Sequence, residues 1–122
     1  MRYMYKNDLA DRAFEFSQNV RAFIKQLPKT TANIEDGKQV VRSSGSVGAN
    51  YIEANESLSK KDLIYRLKIS RKEVKETQYW LKLIDADVQL QGEKDRLIKE
   101  LTELLSIFSS IINNLEHKRT RK

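Results

Sequence analysis

The chain has 122 residues, of which 39% are apolar and 33% charged, with four Gly, one Pro, no Cys and a formal net charge of +6. That length holds one domain with one core, and so few Gly and Pro argue against an all-β sandwich or barrel with its many turns. The absence of Cys excludes disulfides, thiolate metal sites and a cysteine nucleophile, and a single His117 makes a His-rich metal site or a Ser–His–Asp triad improbable.

The first predicted helix covers residues 9–27, where Leu9, Ala13, Phe16, Val20, Phe23, Ile24 and Leu27 recur at a spacing of three to four. Asp8 is its expected N-cap, and Pro28 closes it by forcing the preceding residue out of the α region. The second covers 33–58, with Gly37, Val40, Val41, Ser44, Val47, Gly48, Tyr51, Ala54, Asn55 and Leu58 on one side. Ser43-Ser-Gly-Ser46 looks like a loop, but the period of Val40, Val47, Tyr51 and Leu58 runs through it, so the helix is read as continuous. Each Gly in it costs roughly 1 kcal/mol relative to Ala, and close approach of another helix is the usual compensation.

Ser59, followed by Asp62, caps the third helix. Leu63, Leu67, Ser70, Val74, Thr77, Leu81 and Ile84 form its main seam, and a turn is expected at Gln89–Gly92. The fourth helix, about 93–117, repeats Leu97, Ile98, Leu101, Leu104, Leu105, Phe108, Ile111, Ile112 and Leu115. Glu93 and Asp95 near its start and Lys118 and Arg119 at its end suit the helix dipole. Helices of this length with short connections predict an all-α, antiparallel up-down-up-down four-helix bundle over 1–117. Residues 118–122 are read as a frayed basic tail.

Three faces are left over. On the third helix, Tyr65, Ile69, Trp80 and Leu83 form a second apolar stripe, with Glu73 and Glu76 among them, roughly 100° from the main seam. It is either the wrapped edge of the core or a subunit interface, where Trp and Tyr are favoured. On the second helix, Arg42, Gly45, Ser46, Ala49, Glu53 and Glu56 point away from the seam. Small residues there admit a neighbour, across which Arg42, Asn50, Glu53 and Glu56 could close a polar network; otherwise the face is solvated. The third face is basic: Lys61, Lys68, Lys75 and Lys82 recur every seven residues with Lys72 beside them, opposite the Leu67/Val74/Leu81 seam. It is either a solvated face or a stripe that tracks phosphates, helped by Lys118, Arg119, Arg121 and Lys122. It lacks interleaved exposed aromatics, so sequence-specific readout is not expected.

Catalytic and metal motifs do not complete. Gly45-Ser-Val-Gly48 is not followed by Lys-Ser/Thr and lies within a helix, so it is neither a phosphate loop nor a Gly-x-x-Gly clamp; nor does it match a Gly-x-Ser-x-Gly elbow. Glu53, Glu56, Glu73 and Glu76 suggest a di-iron bundle, which also needs Glu-x-x-His on two helices, and the one His is at 117. No enzyme activity, metal or cofactor is expected. No apolar run reaches transmembrane length and the N-terminus has no signal-peptide core, so the expected location is the cytoplasm.

Val41-Arg-Ser-Ser-Gly-Ser-Val-Gly-Ala-Asn-Tyr-Ile-Glu-Ala54 resembles the second helix of the bacterial 23S rRNA intervening-sequence proteins, approximately Arg-Ser-x-x-Ser-Ile-x-Ala-Asn-x-x-Glu. Arg42, Ser43, Ser46, Ala49, Asn50 and Glu53 match, and Val47 stands for the usual Ile. Leu27-Pro28-Lys29 and Lys72-Glu-Val-Lys-Glu-Thr-Gln-Tyr-Trp-Leu81 fit as well. The resemblance spans about residues 8–115 and implies a four-helix bundle assembled as a ring-shaped homopentamer, with a ribosomal-protein-like label and a poorly defined role. A similar relative is the accessory protein of diversity-generating retroelements, a basic pentamer that binds nucleic acid and a reverse transcriptase. The expected partners are therefore other copies of the chain, RNA or DNA, or a partner protein, and no membrane.

Overall fold

Four amphipathic segments fold as four helices: α1 (Arg2–Lys25), α2 (Thr31–Asn55), α3 (Lys60–Leu83) and α4 (Val88–Thr120). The computed structural model describes residues 2–120, with side chains from 8 to 117, and among these there is no strand. Pairings between helices run in opposite directions along the chain. Between α1 and α2, Ala13 meets Gly48 and Ile24 meets Gly37. Between α2 and α3, Ser43 meets Thr77, Val47 meets Ser70 and Glu53 meets Arg66. Between α3 and α4, Ile84 meets Lys94 and Lys68 meets Glu116. Each neighbouring pair is therefore antiparallel, and Arg12 with Glu100 closes α1 onto α4.

The predicted seams meet in one core. Val20, Phe23, Val40, Val47, Leu67, Val74, Leu81, Leu101, Leu104, Phe108 and Ile112 are all under 2% exposed or at that limit. Tyr51 meets Phe108 edge to face at 5.9 Å. α2 and α3 are joined through small hydroxyl residues. The Ser43 and Thr77 hydroxyls lie 2.7 Å apart, Thr77 donates to the Glu73 carbonyl, and Ser70 donates to the Val47 carbonyl. Such short side chains let two backbones approach while meeting the buried polar groups' need for partners.

α2 is unbroken through Ser43–Ser46, as its period predicts. Its glycines meet α1 closely at two places: a Cβ on Gly37 would lie 3.3 Å from Ile24 Cγ2, and one on Gly48 3.3 Å from Ala13 Cβ. The caps are Thr30, which accepts from Asn33 N–H at 3.1 Å, and Ser59, which accepts from Asp62 N–H at 3.0 Å.

Several boundaries differ from the sequence reading. α1 begins at Arg2, so Asp8 lies within the helix and does not cap it; no Gly or Pro stands before Asp8 to stop the helix. α2 ends at Asn55, and Leu58 is fully exposed in the connection instead of on the seam, because the Ser59 cap starts α3 there. The turn falls at Asp85–Asp87, and Gln89–Gly92 lies in α4, which therefore carries no acidic residue in its first turn. α4 also continues to Thr120, three residues into the expected tail. Ile64, which the seam omitted, is buried, and so are Asn33 and Ser43.

Candidate interface on the second and third helices

Arg42, in the middle of α2, reaches across to α3. Its guanidinium donates to Glu76 at 3.2 Å and lies 3.7 Å from Glu73 Oε1. One helical turn separates Glu73 from Glu76, so a single guanidinium serves both carboxylates. Glu73 is the more buried, at 9% exposure, and its Oε1 accepts no hydrogen bond. Burial holds its carboxyl above the usual carboxylate range; Glu76 adds to the shift, and Arg42 and Lys72 oppose it. Further along α2, Glu53 accepts from Arg66, which also approaches Asp62 at 3.5 Å. Asn50 donates to the Ser46 carbonyl at 2.8 Å, and Ser46 to the Arg42 carbonyl at 3.1 Å. Of the polar groups expected to meet across a contact between subunits, Arg42 and Glu53 thus find partners on α3, which lies within reach of their long side chains, Asn50 bonds within α2, and Glu56 stands exposed.

Of the small residues, Gly45 and Ala49 border α1, whereas Ser46 lies on the side of Arg42 and Glu53. Ser46 is half-buried and Ala49 exposed. The nearest neighbour of a Cβ at Gly45 would be Arg21 Nη2 at 3.7 Å, an ordinary contact, so packing within the chain does not require glycine there. Gly45, Gly48 and Ala49 line a groove of about 450 Å³ with Ala10, Phe14, Arg21 and Ile52. Phe14 and Ile52 on its rim are 65% and 57% exposed.

The second stripe of α3 divides in two. Trp80 is half-buried against the core and Ile69 is half-buried, as a wrapped core edge would be. Tyr65 and Leu83 are exposed. The basic stripe faces outward, with Lys61, Lys68, Lys72, Lys75 and Lys82 all exposed. Lys68 pairs with Glu116 of α4 at 2.8 Å, so the five ammonium groups are not equally available. Lys61, Lys72, Lys75 and Lys82 form no ion pair with a described residue. The side chains of Lys118 and Arg119, and all of Arg121 and Lys122, lie outside the described residues.

One expectation about this face is overturned: it does carry an exposed aromatic ring. Tyr79 is 60% exposed and sits three, four and seven positions from Lys82, Lys75 and Lys72. Its ring meets Trp80 at 5.1 Å and 81°. Tyr79 belongs to neither apolar stripe, so apolar periodicity does not mark it; its spacing from the lysines is the signal in the sequence. Lys72, Lys75, Tyr79 and Trp80, with Gln39, Arg42 and Glu76, line a shallow recess of about 450 Å³.

A second feature missed in the sequence is Arg12, which donates to Glu100 through Nε at 2.7 Å and Nη2 at 2.9 Å and also contacts Glu103. The two carboxylates hold the guanidinium still more firmly in its charged form. No periodicity links positions so far apart. Among the described residues no cluster of three or more His, Cys, Asp or Glu could hold a metal ion, and no helix is long and apolar enough to cross a membrane.

Residues 5–113 match the family described as 23S rRNA-intervening sequence protein. Among solved structures, the chain is similar to a protein of unknown function from the S23 ribosomal protein family of Bacteroides thetaiotaomicron. The two share 31% identity over 85% of this chain and 97% of that one, with a TM-score of 0.75. No curated protein matches the sequence.

Proposed function

We propose a binding role, and its premise is that the chain belongs to the 23S rRNA-intervening sequence protein family. The protein acts in the cytoplasm without catalysis, as a homo-oligomer that associates weakly and without sequence preference with RNA or DNA. The observation that carries this reading is the outward face of α3, where Lys61, Lys72, Lys75 and Lys82 stand exposed and form no ion pair with a described residue. Neutralising a phosphate releases condensed counterions, so affinity should fall with salt by a log–log slope of about 0.7–0.9 per contact. Changing the four lysines to Gln should weaken binding to ribosomal RNA and to an unrelated duplex about equally and flatten that slope. No binding by wild type at low salt overturns the reading.

Self-association is supported by the α1–α2 groove, where Gly45 is small without need and Phe14 and Ile52 are exposed. Tyr65 and Leu83 offer a second apolar surface on α3. Two such faces suit an assembly larger than a dimer; the family resemblance favours a ring of five, about 70 kDa for chains of 14.3 kDa. Ala49 is exposed on this groove, so Ala49→Leu should lower the mass seen by light scattering while the melting temperature of the dilute chain holds. A constant mass near 14.3 kDa at all concentrations ends the oligomer reading. The same groove supports the alternative, an interaction scaffold whose partner is another protein and whose charge is incidental.

A further inference from the structure

We infer that the lysine face of α3 takes single-stranded nucleic acid in preference to duplex, with Tyr79 as the platform on which a base stacks. The inference rests on the nucleic-acid reading above and adds the form of the ligand. At roughly 100° per residue, Lys72, Lys75, Tyr79 and Lys82 fall within about 80° of one another on the helix. The ring therefore stands among the ammonium groups, at the i, i+3 and i, i+4 spacings that make neighbours on a helix surface. It is 60% exposed, whereas the adjacent Trp80 is half-buried and anchored in the core. The two rings meet at 81°, edge to face and not stacked, which fixes Tyr79 without layering it against Trp80.

A stacking ring among cations is the combination that holds single strands, since every base offers a π face and the phosphates are tracked by charge. A duplex keeps its base faces stacked inside, so the lysines would serve its phosphates and Tyr79 would find no face to stack on. Beside the ring, the recess of about 450 Å³ offers room for an unstacked base. Its one carboxylate, Glu76, accepts from Arg42 at 3.2 Å, so its charge is compensated where a phosphate would pass.

The test uses the full chain, a labelled oligothymidylate and a labelled duplex of equal length, read by fluorescence anisotropy at low salt. Wild type should bind the single strand more tightly. Tyr79→Ala should weaken that binding by about 5-fold to 150-fold and leave duplex binding unchanged, with Tyr79→Phe restoring it. The single strand, and not the duplex, should also perturb the fluorescence of the one tryptophan, Trp80. Equal binding of both forms, with no effect of Tyr79→Ala, overturns the inference and leaves the lysine reading intact. No binding of either form overturns both. If Tyr79→Ala lowers the mass in light scattering and both nucleic acids lose equally, the ring is a contact between copies of the chain, and the inference falls.

Discussion

The carboxamide of Asn33 holds the backbone of Asp85 in both directions: Nδ2 donates to the Asp85 carbonyl at 3.0 Å, and Oδ1 accepts from the Asp85 N–H at 3.0 Å. Nδ2 also donates to the Pro28 carbonyl at 3.1 Å. A single side chain, 3% exposed, thus ties the α1–α2 connection to the α3–α4 connection at one end of the bundle. Irregular backbone has no helical partners of its own, so a side chain with both a donor and an acceptor meets its needs.

Asn33→Ala should therefore destabilise the fold by roughly 1–3 kcal/mol, since it strands partly buried backbone groups. Asn33→Asp should cost at least as much, because it places a carboxylate against two carbonyl oxygens while keeping only the bond from Asp85. Urea titrations of the two variants check this. An Asp variant as stable as wild type would show that the two donated bonds contribute nothing.

Glu73 gives a pH dependence of definite sign. Its carboxyl is held above the usual range by burial, so in the intermediate range the folded state binds more protons than the unfolded one. Stability is present below the unfolded value and is lost as pH rises through the folded one. Glu73→Gln removes the buried charge, and Arg42 keeps Glu76 as its partner. The variant should be more stable than wild type at pH 7 by on the order of 1 kcal/mol, and the difference should shrink as the solution is acidified toward pH 4. Paired thermal melts at the two pH values measure it.

The glycines should separate by their surroundings. A Cβ at Gly92 would meet nothing within 4 Å, and one at Gly45 only Arg21 at 3.7 Å. Gly92→Ala and Gly45→Ala should each stabilise the isolated chain by about 0.5–1 kcal/mol through helix propensity. Gly48→Ala would press its Cβ to 3.3 Å from that of Ala13, and should give no gain or a loss. Calorimetric melting temperatures in one buffer rank the three.

Ser43 and Thr77 should be strongly coupled. Thr77→Val leaves the buried Ser43 hydroxyl without its 2.7 Å partner, and Ser43→Ala removes that contact while Thr77 still donates to Glu73 O. The first should cost about 1–3 kcal/mol, and adding Ser43→Ala to it should recover part of that loss. Strict additivity in a double-mutant cycle would mean the hydroxyls do not depend on each other.

The sequence by itself determined the helices and their buried sides, because a period of three to four residues is imposed by every helix that must bury one face. The seams of Phe16–Val20–Phe23 and Leu97–Leu101–Leu104–Phe108 are in the core as read, and α2 crosses its serine-rich stretch unbroken. The ends were less legible: Leu58 continued the spacing of α2 yet lies beyond its end, since the cap of the next helix decides where a helix stops. The lysine stripe was visible as a spacing of seven, but the Lys68 pair with Glu116 was not, because it joins residues of different helices. Only the tertiary structure decided which polar groups meet. It gave Arg42 to Glu73 and Glu76, and Arg12 to Glu100, and it left Tyr79 exposed among lysines. Periodicity reports how each helix faces the core; contacts between helices depend on their relative rotation and on the reach of long side chains, and no spacing within one helix encodes these.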